Sequence, residues 1–229
     1  MKHSYLKSKA QSLFLILSGL FIAALVCCNL IFQKFFTWTP LGIYTFEISA
    51  GIIPYPITFL VTDIISEIYG RKKANSVVLS GLFASIFVLG IVMVANNVSA
   101  TEWSPINDAT FSNVFGLTGI AVGASMLAYL LAQFIDIRIF HFWKKLTNGK
   151  HLWLRNNAST FSSQLVDTAT VLVLLCLAGG IAWDKFWVLL LNGFVFKVIM
   201  ALIDTPILYI VINLIRKRFK LEVGEEIEI

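Results

Sequence analysis

The chain has 229 residues, 58% hydrophobic and only 14% charged, where a soluble domain carries roughly a quarter charged residues. Its net charge of +5 sits in short clusters between apolar runs, which leaves no basic stripe and excludes a nucleic-acid partner. Cys27, Cys28 and Cys176 lie inside apolar runs, with neither metal-ligand spacing nor a disulfide framework, so no metal or other cofactor is expected.

Six apolar runs reach the roughly 20 residues that cross a bilayer. They cover about 12–32, 48–69, 75–95, 114–140, 158–182 and 187–215. The expected fold class is therefore an all-α membrane protein, one transporter domain over residues 1–229. Basic residues alternate between connections. Lys2, Lys7 and Lys9 precede the first span, and Arg71, Lys72 and Lys73 follow the second. Lys144, Lys145, Lys150 and Arg155 follow the fourth; Arg216, Lys217, Arg218 and Lys220 follow the sixth. The positive-inside rule then predicts both termini in the cytoplasm. Three spans per half also admit an inverted three-plus-three repeat. Pro54 and Pro56 predict a late start or a kink in the second span. Trp38, Trp103, Trp183 and Trp187 read as interfacial anchors.

Charged residues inside spans carry the functional signal, because a central Asp or Lys costs roughly 2.5–3.5 kcal/mol to insert. Five acids lie there (Asp63, Glu67, Asp136, Asp167 and Asp204), with two bases, Arg138 and Lys197. Phe59, Asp63 and Glu67 share one helical stripe. Gln133 and Asp136 share a face, as do Gln164 and Asp167, and Lys197 and Asp204 stand two turns apart on another. Carboxylates, amides and aromatics at one depth suit a planar, hydrogen-bonding solute. Arg155 opens the fifth span, and Arg138 and Arg155 read as a gate or cytoplasmic boundary. Structural readings stay open beside these: a solvated Glu67, an Asp136–Arg138 boundary pair, a kink at Asp204–Pro206, and Lys197 as a counter-ion.

The segments "PYPITFLVTDIISEIYGRKKAN", "LAQFIDIRIFHFW", "LRNNASTFSSQLVDT" and "FKVIMALIDTP" resemble the queuosine precursor transporter family, which belongs with the vitamin-uptake-type transporters. The resemblance covers nearly the whole chain. It implies a six-helix importer of the bacterial cytoplasmic (inner) membrane, carrying 7-deazaguanine precursors such as preQ0, preQ1 or queuine. On that reading a guanine-like edge meets the carboxylates and amides, and the ring stacks on Tyr55 or Phe59.

Three alternatives compete. One is a substrate-binding membrane subunit served by an ATPase module; the chain itself has no phosphate-binding G-x-x-x-x-G-K-[ST] loop. Another is an importer of a different small polar solute. The third, an intramembrane aspartyl enzyme using Asp63 and Asp167, lacks the glycine-flanked Asp such a site needs, so no catalysis is expected. A homo-oligomer stays open.

Overall fold

The computed structural model describes residues 2–31, 34–115, 119–177 and 182–227. Its core is helical. Helix α1 (Lys2–Ile31) leads to an antiparallel hairpin of β1 (Phe35–Trp38) and β2 (Phe46–Ser49), with Phe35 opposite Ser49 and Trp38 opposite Phe46. Then come α2 (Tyr55–Ile68), α3 (Gly70–Asn96), the short α4 (Asp108–Phe115), α5 (Gly119–Leu146), α6 (Leu152–Leu177) and α7 (Phe186–Phe219).

The second span therefore starts later than the apolar run at 48 implied. Residues 46–49 are a strand and Ala50–Ile52 a tight turn. Pro54 then precedes α2 and Pro56 lies in its first turn, where a missing N–H costs nothing because those amides have no helical acceptor. Gly70 takes a positive φ of 81° between α2 and α3, a conformation that a side chain would strain. The expected sixth span is continuous, and α7 runs on through Pro206. Residues 32, 116–118 and 178–181 of the expected spans lie outside the described residues.

Among the described residues five stretches are long and apolar enough to cross a membrane: Lys7–Ile31, Ala50–Ile68, Gly70–Asn96, Met126–Leu146 and Trp183–Phe219. Helix α6 has 26 residues, long enough for the roughly 30 Å of a bilayer core, but it does not join them. Its face toward α5 and α7 is polar and buried, with Arg155, Asn156, Asn157, Ser159, Ser163 and Gln164.

The arrangement is inside-out relative to a soluble bundle. Leu15 and Ile16 of α1, Phe83 and Phe87 of α3, and Trp187 and Leu214 of α7 are exposed. Helix α2 is the buried centre: Thr58, Phe59 and every residue from Val61 to Ile68 are shielded. It packs against α1, α3, α5 and α7, while α6 packs on both α5 and α7. Where α1 crosses α3, Gly81 takes the close approach. A Cβ there would lie 2.5 Å from Phe21 Cε1 and 2.9 Å from Leu25 Cδ2.

Candidate functional site

Helix α2 presents a polar ladder to the second half of the chain. Successive turns place Tyr55, Phe59, Asp63 and Glu67 on one stripe, and each polar rung meets a different partner.

At the rung nearest the hairpin, Tyr55 Oη donates to Asp167 Oδ2 of α6 at 2.8 Å. Lys197 Nζ of α7 donates to the same oxygen and lies 4.9 Å from the centre of the Tyr55 ring. Beside this triad is a small cleft, lined among others by Tyr55, Phe59, Gln164, Lys197 and Asp204. Gln164 Oε1 is buried and receives no donor among the described residues. Phe196 also lines the cleft. It packs on Trp38 at 5.4 Å and on Phe46 at 5.6 Å between ring centroids. The hairpin thus covers this end, with Trp38 packed against Phe196.

The middle rungs face α5. Thr62 Oγ1 reaches Gln133 Oε1 at 3.3 Å, and Gln133 Nε2 donates to Tyr129 Oη at 2.7 Å. The Tyr129 ring stands 6.0 Å from that of Tyr55 and 6.1 Å from that of Phe59. Asp63 and Asp136 are both buried neighbours, and Asp63 Oδ1 and Asp136 Oδ2 receive no donor among the described residues. Ser163 Oγ of α6 donates to Asp136 Oδ1 at 3.0 Å.

The last rung is a charge clamp. Glu67 is wholly buried, so it is not the solvated end residue its position allowed. Arg155 grips it with two bonds, Nη1 to Oε2 at 2.8 Å and Nη2 to Oε1 at 3.1 Å. Arg216 Nη2 of α7 also donates to Oε1. Lys144 Nζ of α5 bonds the Glu67 carbonyl at 3.2 Å and Glu226 Oε1 at 2.9 Å. The C-terminal segment closes over this end: the Ile227 amide donates to the Ile68 carbonyl at 2.7 Å, satisfying an acceptor the helix end leaves free.

Ten residues were expected to line one cavity. Five of them, Tyr55, Phe59, Gln164, Lys197 and Asp204, do line the cleft, and Asp167 bonds two of these. Asp63, Gln133 and Asp136 lie in the middle rungs, outside the lining, and Glu67 belongs to the clamp. Arg138 is exposed, and it makes no ion pair among the described residues. The boundary pair weighed for it with Asp136 is absent. Asp63 and Asp167 do not pair with each other; each has its own partner.

Residues 49–211 match a family described as "Putative vitamin uptake transporter". The chain belongs to that family. Two bacterial proteins, both named "Probable queuosine precursor transporter", are similar over most of their length. The Bacillus subtilis protein is 28% identical over 196 residues, covering 83% of this chain and 82% of its own. The Haemophilus influenzae protein is 26% identical over 192 residues, covering 80% of this chain and 77% of its own. No solved structure matches the chain.

As a member of the vitamin uptake transporter family the protein is a multi-pass membrane transporter, and the polar ladder is its conspicuous departure from an apolar helix bundle. Sequence reasoning missed Lys144 and Arg216, which it read only as cytoplasmic markers. The signal available was the acid excess within the spans, five against two. Buried acids need cations, and the two bases counted did not suffice.

Proposed function

We propose that this protein imports 7-deazaguanine precursors of queuosine across the bacterial cytoplasmic membrane. It has six spans, α6 included, with both termini in the cytoplasm. The cleft beside Tyr55, Asp167 and Lys197 is the substrate site. The observation that carries the reading is the triad beside an unpartnered Gln164 oxygen. A guanine-like edge carries adjacent N–H donors and a carbonyl. Asp167 and Gln164 Oε1 accept the donors, Lys197 Nζ answers the carbonyl, and Tyr55 and Phe59 offer aromatic faces. A solute with that edge replaces the Tyr55–Asp167 bond with its own. Both relatives carry names that point to the same substrate class.

The two halves, α1–α3 and α5–α7, move against each other around the cleft. The hairpin and its Phe196 contact cover the outer end; the Glu67 clamp closes the cytoplasmic end.

The test is queuosine in tRNA of a bacterium lacking precursor synthesis and its own importer, supplied with preQ0, preQ1 or queuine. Wild-type protein restores the modified base. Asp167→Asn and Gln164→Ala reach the membrane in equal amounts but restore little. Full restoration by both variants would remove the cleft from consideration. No restoration by wild type, with the protein present in the membrane, would remove the substrate class.

A further inference from the structure

Resting on the transport reading above, we propose that Asp63 and Asp136 form a proton-binding site that joins the two halves of the molecule. One proton bridges the carboxyls, and its release lets the halves part and couples uptake to a pH gradient.

The geometry begins with burial. Asp63 is 2% exposed and Asp136 wholly shielded. Asp63 Oδ1 and Asp136 Oδ2 receive no N–H or O–H donor from the described residues. Yet the two acids are neighbours across the α2–α5 seam. Ionised carboxylates are acceptors only, so two of them cannot bond each other. A shared proton supplies the missing donor. This is the arrangement that two acids at close range adopt when both cannot ionise.

The surroundings favour the same state. Helix α2 adds Glu67 and α7 adds Asp204, both negative influences on Asp63. Helix α6 sets the hydroxyls of Ser159, Thr160 and Ser163 around Asp136, and Ser163 Oγ donates to its Oδ1. The cations of the site are engaged with other acids: Arg155, Arg216 and Lys144 with Glu67, and Lys197 with Asp167. Asp136, with its hydroxyl donors, is the carboxylate of the pair, and Asp63 carries the proton.

Asp63 belongs to the first half of the chain and Asp136 to the second. With the proton present their contact holds the halves together. Once it passes to water on the cytoplasmic side, two buried carboxylates face each other and repel. Rebinding a proton from the outer side restores the contact. Each cycle so moves one proton inward with the solute.

Infrared spectroscopy of the purified protein at neutral pH reads the site without any transport. A protonated-carboxyl carbonyl band is expected, removed by Asp63→Asn and shifted in frequency by Asp136→Asn. No band that Asp63→Asn removes would overturn the proton site. Proteoliposomes holding unlabelled preQ0 and given labelled preQ0 outside then read coupling. An alkaline interior should drive accumulation several-fold above equilibrium in wild type. Asp63→Asn, which keeps the contact but has no proton to release, should accumulate none. Wild-type exchange that ignores the gradient would overturn the coupling. Absence of any wild-type exchange would overturn the transport reading and the coupling with it, while the infrared band still judges the shared proton.

Discussion

A single buried residue, Arg155, shows how strongly local surroundings decide a charge's role. Its guanidinium is fully shielded, forked onto Glu67 and 5.4 Å from the centre of the Phe140 ring. Removing one partner from an isolated buried pair costs about 3–5 kcal/mol; Glu67 keeps Arg216, so the loss here falls at or below the low end of that range. Arg155→Ala should accordingly lower the thermal midpoint in detergent by several degrees. Arg138→Ala, on an exposed face of the neighbouring helix, should leave it unchanged. Equal midpoints for the two variants would show that the clamp contributes nothing. At this scale the acids were legible in the sequence, because carboxylates in apolar runs have to be explained. Their partners were not. Arg138 and Arg155 look alike in a hydropathy profile, and only the earlier start of α6, at Leu152, brings Arg155 inside the bundle.

Among whole elements, the helices followed from apolar length, but the hairpin did not. "FFTW" and "FEIS" are aromatic and β-branched segments of four residues, too short for periodicity to separate strand from apolar helix. The last two residues of the second fell within the run beginning at 48. Helix α6 is the opposite case. Its length was legible, but the polar face that keeps it from standing out as a span is the face that builds the site. Helix packing adds a testable contact at Gly81, where α1 and α3 approach through small-residue contact of the kind favoured in membranes. Gly81→Val would drive side-chain atoms into Phe21 and Leu25, an overpacking loss of about 1–3 kcal/mol. Gly81→Ala combined with Phe21→Leu should recover most of the midpoint lost by Gly81→Ala alone. Failure of that rescue would mean the strain lies elsewhere.

For the molecule as a whole, the polar ladder of α2 is the seam between halves, and its rungs differ in chemistry. A neutral–ionic triad sits beside the hairpin, an acid pair at the middle, and a multi-cation clamp at the far end. The C-terminal segment extends the clamp. Beyond the bonds of Glu226 and Ile227, Gly224 rests against Gly149 in the α5–α6 turn, where a Cβ on Gly149 would meet the Gly224 Cα at 2.9 Å. A chain ending at Lys220 loses these contacts and about 1–3 kcal/mol with them. Its cytoplasmic end should then be cut by added protease sooner than that of the full chain. An unchanged digestion pattern would make the segment a passive tail.

The clamp also sets an order of events during synthesis. Glu67 leaves the ribosome 88 residues ahead of Arg155 and 149 ahead of Arg216. For most of that interval α2 carries a carboxylate without the two arginines that bond it in the finished protein; of its cations only Lys144, 3.9 Å away, is made sooner. The helix can settle at depth only when α6 and α7 arrive, so the first half of the chain depends on the last part made. A nascent protein stalled before residue 152 should hold α2 near the membrane surface, and its release should draw the helix inward.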